Sequence, residues 1–234
     1  MFIDQEDKTH IIAAGRPFQM NSFNPYEDNG GSLAAIAGED YAIIASDTRL
    51  CSGSTVLTRK QTRLFKLTNN AVLASAGCWC DSLTFSKYLE ARLRMYNYEH
   101  DQDMNTLAVA QCCMTMLYGR RFFPYYVWNM LAGLDEKGKG ALYAYDPVGH
   151  METLEYASGG SSSALIMPLL DSIVGKKNQE NPDKAPLSKD QAIALIKDVF
   201  ISAAERDSQC GDSAHIMIIT KDGVEEVFAD LRKD

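Results

Sequence analysis

A glycine pair followed by a hydroxyl residue, Gly30-Gly31-Ser32, stands directly before an apolar segment that leads to Asp47. Cleavage of a chain after a glycine can expose a hydroxyl or thiol residue whose own α-amine then acts as its general base. Glycine itself has no side chain with which to attack a carbonyl. The pattern therefore raises one question: whether Ser32 is a nucleophile, or whether the nucleophile's position is Gly31 and is empty.

Side chains that usually bind metal ions or exchange electrons are scattered along the chain. Cys78 and Cys80 are separated by a single residue, the wrong spacing for a zinc site, and no second cysteine pair or histidine pair accompanies them. We therefore predict that the thiols are buried structural groups in a reducing compartment, and that the protein has no metal and no cofactor. The six cysteines are Cys51, Cys78, Cys80, Cys112, Cys113 and Cys210.

Composition narrows the class of protein. The 234 residues carry a formal charge of −8 and 46% of them are apolar, which allows a sizeable core and argues against a nucleic-acid surface. No apolar run is long enough to span a membrane. Residues 1–21 contain acidic residues early, unlike a signal peptide, so we predict a removable leader followed by a single domain over residues 22–234.

The elements that must position these residues are strand hairpins separated by pairs of helices. Residues 33–37 and 41–45 are apolar on successive positions and are split by a turn at Gly38, which predicts a hairpin buried on both faces. Ser188 and Gln191 form a capping-box pattern ahead of a helical apolar stripe. We predict further strands at 55–57, 64–67, 71–76, 126–133, 140–145, 153–158, 214–220 and 224–228, and helices at 81–98, 105–118, 159–174 and from 188 onward.

This order of elements favours an α+β fold, because helices do not alternate with single strands. Strands that are apolar on both faces need a cover on each side. We therefore predict a four-layer αββα sandwich, in which two antiparallel sheets pack together and are covered by helices.

Four stretches of the sequence resemble the β-type subunits of the 20S proteasome. They begin at Asn29, Ile44, Gly159 and Glu205 and read Asn-Gly-Gly-Ser, Ile-Ala-Ser-Asp-Thr-Arg, Gly-Gly-Ser-Ser-Ser and Glu-Arg-Asp-Ser-Gln-Cys-Gly. The resemblance extends from about residue 22 to the C-terminus and implies the fold of the N-terminal-nucleophile hydrolases. Longer strings, such as Arg-Arg-Phe-Phe-Pro-Tyr-Tyr at 120–126, are most similar to one β type that is not catalytic.

Active members of this family use an N-terminal threonine, a lysine that lowers the cost of its alkoxide and an aspartate that holds the lysine. Aligned on Asp47, which matches that aspartate, the threonine position falls on Gly31 and the lysine position on Arg63. The remaining positions fall on Ser161, the orienting serine, on Asp207, a second aspartate, and on Cys210, where a further serine is expected. Glycine removes the nucleophile. The guanidinium of Arg63 keeps a charge that Asp47 can pair with, but it cannot exchange protons near neutrality.

A second interpretation makes Ser32 the nucleophile of an amidohydrolase. Side chains alternate faces along a strand, so Ser32 points away from the side that position 31 occupies. Reaching the site would require a one-residue slip relative to Asp47, which would also reverse the faces of residues 33–37. The geometry therefore favours a site without a nucleophile. A free scaffolding or ligand-binding protein of the same fold is the third interpretation.

The resemblance implies an architectural function among other proteasome subunits. Two rings of β subunits would stack between two rings of α subunits in a twenty-eight-subunit particle of the cytoplasm and nucleus, which degrades proteins in the ATP- and ubiquitin-dependent pathway. Peptide substrate would be met only through a neighbouring active subunit, whose substrate groove the turn at Asp146 and Pro147 is implied to reach. The residues alone are equally well explained by a plain Asp-Pro turn. The aromatic string at 122–126 predicts a core or subunit contact.

Overall fold

The computed structural model describes residues 24–180 and 185–234, and the predicted leader lies outside them. Within these residues the helices are α1 (Trp79–His100), α2 (Thr106–Tyr118), α3 (Ser163–Ile173) and α4 (Lys189–Ala204). The strands are β1 (Ser32–Ala37), β2 (Ala42–Asp47), β3 (Leu50–Ser52), β4 (Thr55–Thr58), β5 (Leu64–Lys66), β6 (Ala71–Gly77), β7 (Val127–Leu134), β8 (Gly140–Tyr145), β9 (Met151–Leu154), β10 (Tyr156–Gly160), β11 (Ser213–Thr220) and β12 (Gly223–Asp230). No helix of this part of the chain is both long enough and apolar enough to cross a membrane.

Ten of the strands form two antiparallel sheets of five strands each. The first sheet has the order β10-β1-β2-β11-β12 and the second has the order β5-β6-β7-β8-β9, while β3 and β4 pair separately. β1 and β2 form the predicted hairpin, in which the N–H of Gly38 donates to the carbonyl of Tyr41 at 2.8 Å. The register pairs Leu33 with Ser46, so Asp47 ends β2 beside the beginning of β1.

The two sheets pack face to face, and each is covered by two helices. Apolar side chains such as Leu33, Ile44 and Met130 fill the space between the sheets. Helices α3 and α4 cover the first sheet through residues such as Leu170 and Phe200, and α1 and α2 cover the second. The predicted four-layer α+β sandwich is therefore confirmed. Its strands are apolar on successive residues because both faces of each sheet are buried.

Two predicted elements are wrong where the chain passes from one sheet to the other. The strand predicted at 153–158 is two strands, since β9 pairs with β8 in the second sheet and β10 pairs with β1 in the first. The helix predicted from Gly159 begins only at Ser163, because Gly159 and Gly160 still pair with β1. A Cβ at Gly160 would lie 1.8 Å from the carbonyl oxygen of Gly31, so only glycine allows this approach.

The helix starts show one confirmed signal and one local misreading. Ser188 and Gln191 form the predicted capping box, with Gln191 N–H donating to Ser188 Oγ at 3.3 Å and Ser188 N–H donating to Gln191 Oε1 at 3.0 Å. Helix α1 begins at Trp79 rather than after Asp81. The carboxylate of Asp81 instead accepts a hydrogen bond from the N–H of Tyr126 at 2.9 Å, and so joins α1 to the segment before β7.

Candidate functional site

The candidate site lies where the chain enters β1, between the ends of β10 and β2. Gly30 and Gly31 both have positive φ, +65° and +100°, which glycine adopts readily and other residues do not. The backbone is held on both sides: Ser161 N–H donates to the carbonyl of Gly31 at 2.9 Å, and Ser32 N–H donates to Asp47 Oδ1 at 2.9 Å. Two glycines thus bring the start of β1 directly against the carboxylate that ends β2.

Arg63 enters this site from the segment before β5, and its side chain is completely buried. Its Nη2 donates to the carbonyl of Arg49 at 2.6 Å and to that of Asn29 at 3.1 Å. Its Nε lies 3.6 Å from Asp47 Oδ1, so the predicted pair of opposite charges is present. Its Cζ also lies 5.9 Å from the ring centre of Trp79, over the ring. Arg63 is therefore fixed by backbone carbonyls as well as by Asp47.

Gly31 and Arg63 share one space. A Cβ built on Gly31 would lie 2.5 Å from both Cζ and Nε of Arg63, and 2.8 Å from Nη1. Contacts this short are far inside van der Waals separation, so the guanidinium occupies the volume that a side chain at position 31 would need. Because of the positive φ, a larger residue there would also be strained. The position at which the sequence resemblance predicts a nucleophile is therefore filled by the Arg63 side chain.

Burial dominates the electrostatics of the Asp47–Arg63 pair. Loss of solvent raises the pKa of Asp47 to about 6, although Arg63 and the backbone N–H groups of Ser32, Arg49 and Gly211 oppose the rise. Burial also lowers the pKa of Arg63, against the opposing charge of Asp47. Among the described residues, Asp47 Oδ2 and the Nε and Nη1 of Arg63 make no hydrogen bond. Both charged groups are therefore fully buried, and some of their polar atoms have no hydrogen-bond partner. This arrangement suits a structural contact better than proton transfer.

On the other face of β1, the hydroxyl of Ser32 is part of a separate buried network. Ser32 Oγ donates to Ser162 Oγ at 2.8 Å, and Ser162 Oγ donates to Asp207 Oδ2 at 2.5 Å. Cys210 adjoins both serines, and burial raises its thiol pKa to about 12. Ser32 thus points away from Arg63, as the alternation of side chains along a strand predicts. Its hydroxyl is fully buried, and its backbone nitrogen is a peptide N–H that donates a hydrogen bond to Asp47.

Asp207 is contacted by Ser162 rather than by Ser161, the serine predicted from the sequence. Ser161 Oγ lies 3.3 Å from Ser32 Oγ, and its backbone N–H binds Gly31. Ser162 stands at the N-cap of α3 but makes no cap hydrogen bond with its side chain, because its hydroxyl is committed to Asp207. A run of three serines carries no signal that distinguishes these neighbours. Their roles follow from where β10 ends.

Asp146 and Pro147 lie in the turn between β8 and β9, away from this site in the chain. Asp146 Oδ1 accepts hydrogen bonds from the N–H of Val148 at 3.0 Å and from that of His150 at 2.7 Å. The carboxylate thus closes its own turn, in the manner typical of aspartate in turns. Contact with a neighbouring subunit's substrate groove stays a prediction.

The thiols and possible metal ligands add no further centre. All six cysteines are free; Cys51, Cys78, Cys113 and Cys210 are buried, and Cys80 is exposed. No three His, Cys, Asp or Glu side chains within residues 24–180 and 185–234 come together as a metal site would require.

Two covered antiparallel sheets, with a glycine-led strand entering between Asp47 and a buried basic residue, define a protein of the N-terminal-nucleophile hydrolase fold. A family model described as "Proteasome subunit" matches residues 27–219. The chain therefore belongs to the proteasome subunit family.

Named relatives cover nearly the whole chain. It is 51% identical over 214 residues to "Proteasome subunit beta type-1" of Drosophila melanogaster, covering 91% of each chain. It is 50% identical over 214 residues to "Proteasome subunit beta type-1-B" of Carassius auratus, covering 92% of this chain and 90% of that one. It is 41% identical over 231 residues to "Proteasome subunit beta type-6" of Saccharomyces cerevisiae, covering 95% of each. These relatives make the chain a β subunit of the proteasome core, associated with other proteasome subunits, as the sequence predicts.

Proposed function

We propose that this proteasome β subunit is not itself catalytic and acts as a structural member of the β ring. The observation that carries this proposal is the guanidinium of Arg63, which occupies the space that any side chain at position 31 would need. Position 31 offers no nucleophile, and position 63 offers a group that stays protonated near neutrality. What remains of the site consists of buried contacts among Gly31, Asp47 and Arg63, which fasten the start of β1 to β2 and to the segment before β5.

The proposed setting is a twenty-eight-subunit core particle with two β rings between two α rings, in the cytoplasm and nucleus, working in ubiquitin-dependent protein degradation. The names of the relatives support a place in such a particle. Large exposed aromatic side chains support extensive contacts: Phe122 is 100% exposed and Phe123 is 60% exposed, beside the partly exposed Tyr126. Aromatic clusters of this kind on a protein surface mark interaction sites.

We further propose that the turn at Asp146 and Pro147 contributes to the substrate pocket of a neighbouring active subunit. Its support is chemical: Asp146 is a carboxylate in a well-formed turn, and only one of its oxygens is engaged by the two backbone N–H groups of that turn. A carboxylate oxygen that projects into a groove can accept hydrogen bonds from a peptide.

The decisive experiment is covalent labelling of intact core particles with an active-site-directed inhibitor, followed by peptide mapping with mass spectrometry. We expect label on the N-terminal threonines of the active subunits, which serve as the internal control, and none on Gly31 or Ser32. Label on Ser32 would establish the alternative Ser32-dependent amidohydrolase and refute the proposal. Size-exclusion chromatography of the native protein separates the third possibility, since a free scaffolding protein elutes as a small species without other subunits.

A further inference from the structure

Residues Asn24 to Gly30, which lead through Gly31 into β1, cross the candidate site; we call residues 24–30 the N-terminal strap. At its outer end Tyr26 packs its ring 5.9 Å from Phe123 and 5.6 Å from Tyr126, measured between ring centres. The Tyr26 hydroxyl donates to the carbonyl of Pro124 at 2.8 Å. The strap is therefore anchored to the aromatic string before it reaches the site.

At its inner end the strap depends on one buried side chain, that of Asn29. Its backbone N–H donates to the carbonyl of Gly77 at 3.1 Å, and its own carbonyl accepts from Arg63 Nη2 at 3.1 Å and from Cys51 N–H at 3.3 Å. Its side-chain Nδ2 donates to the Cys51 carbonyl at 3.0 Å, and its Oδ1 accepts from the N–H of Trp79 at 2.9 Å. Asn29 thus connects the guanidinium of the candidate site, β3, the end of β6 and the beginning of α1.

The bond to Trp79 supplies a helix cap that α1 lacks in its own sequence. The N-cap position of α1 is Cys78, which makes no side-chain hydrogen bond to the helix. The first N–H groups of a helix have no partner within the helix and are normally satisfied by a local Ser, Thr, Asp or Asn. Here the acceptor is Asn29 Oδ1, which comes from the strap, fifty positions earlier in the chain.

We infer that Asn29 is a positioning residue that locks the strap over the candidate site, and that the intact Gly30–Gly31 peptide bond is a structural requirement of this subunit. Cleavage after Gly30 is the step that would create a free N-terminus at position 31. It would also detach the Gly30 carbonyl, which accepts from Gly77 N–H at 3.3 Å, and release the residue that caps α1 and holds Arg63. Only the requirement for an intact Gly30–Gly31 peptide bond rests on the proposed function, the absence of catalysis. The contacts of Asn29 can be tested by themselves.

The test is hydrogen–deuterium exchange of assembled core particles that carry variants of this subunit, read on peptides covering the first turn of α1. For Asn29→Ala we expect the amides of that turn to exchange about five- to thirtyfold faster, the factor that corresponds to losing one cap. Asn29→Asp keeps the Oδ1 acceptor for Trp79 but places a carboxylate oxygen where Nδ2 donated to the Cys51 carbonyl. Exchange should therefore rise in β3, while the first turn of α1 stays near the wild-type rate. Asn24→Ala is the matched control, because the exposed Asn24 side chain bonds only within the strap, to the N–H of Tyr26.

Unchanged exchange in Asn29→Ala, or equal acceleration in Asn29→Ala and Asn29→Asp, would overturn the inference. If the Asn29→Ala chain does not enter particles, incorporation becomes the readout. Recovery of incorporation by Asn29→Asp then supports the cap, and equal loss in both variants refutes it. Covalent labelling reports on catalysis and exchange reports on the strap, so either proposal can fail while the other stands.

Discussion

Gly31→Ala is the smallest substitution that tests whether the position of the Arg63 side chain depends on a glycine at position 31. The alanine Cβ would lie 2.5 Å from Cζ of Arg63, so the guanidinium must move away from the carbonyl of Arg49, which it binds at 2.6 Å. Weakening a buried hydrogen bond from a charged donor costs about 1.5–3 kcal/mol. The positive φ of position 31 adds about 1–2 kcal/mol for a residue with a Cβ. We expect the region to lose about 2.5–5 kcal/mol of local stability.

Two further variants separate these contributions. In Gly53→Ala the φ is also positive, +55°, but nothing lies within 4 Å of the built Cβ, so this control carries the backbone cost alone. In Arg63→Lys the planar fork is gone while a positive charge remains for Asp47. Adding Gly31→Ala to Arg63→Lys should therefore cost only about as much as Gly53→Ala. The double-mutant cycle should give a coupling energy of about 1.5–3 kcal/mol between positions 31 and 63.

The assay is native-state hydrogen exchange of β1 and β2 amides in assembled particles, for the wild type, both single variants and the double variant. The Gly53→Ala control is read in the same way on the amides of β3 and β4, which flank position 53. Exchange rates convert to the free energy of local opening when the open state closes again faster than its amides exchange. If the costs of Gly31→Ala and Arg63→Lys simply add, or if Gly31→Ala costs no more than Gly53→Ala, then Arg63 does not occupy the space of position 31 in solution. The central observation behind the proposed function would then be lost.

Three other predictions concern the same molecule. Burial holds the pKa of folded Asp47 at about 6, above its ordinary value of 3.8, so the folded state binds more protons than the unfolded state between these pH values. The stability of the fold should therefore fall by up to about 3 kcal/mol as pH rises through this window. Asp47→Asn should abolish this pH dependence, measured by pH-corrected hydrogen exchange of β2 amides. Asp146→Ala should weaken chymotrypsin-like cleavage by assembled particles while ring assembly stays normal. Unchanged kinetics on a matched substrate panel would refute the proposed contribution of Asp146 to a neighbouring substrate pocket. N-terminal sequencing of this subunit from mature particles should find the leader trimmed near residue 21 by active neighbours, and a start at Gly31 or Ser32 would contradict both the trimming prediction and the inferred role of Asn29.

The layers of the fold were readable from the sequence because burial on both faces leaves a simple pattern. The first four residues of β2, Ala42 to Ala45, are all apolar, and the capping box at Ser188 marks the start of α4 without reference to any other part of the chain. The passage from β9 to β10 was not readable. Residues on either side of Glu155 look like one strand, and only their partners in different sheets divide them.

The site divides in the same way between local and distant information. The resemblance to the β-type subunits, aligned on Asp47, was enough to identify Gly31 and Arg63 as positions of the site. The roles of Ser162 and Asn29 depend on contacts with residues that the chain brings together from 45 and 50 positions away. No local sequence pattern around either residue predicts such a contact. Sequence reasoning therefore identified Gly31, Asp47 and Arg63, and missed Ser162 and Asn29, whose hydrogen bonds join the site to distant parts of the chain.

The glycine at position 31 has a structural function that does not depend on whether the subunit is catalytic. Its missing side chain makes room for a buried guanidinium, and its positive φ turns the chain from the strap into β1. Arg63 in turn binds the carbonyl of Asn29, so the strap, the glycine and the arginine stabilise one another. Gly31→Thr alone should therefore not create an active site, because Arg63 occupies the space that the threonine side chain would need.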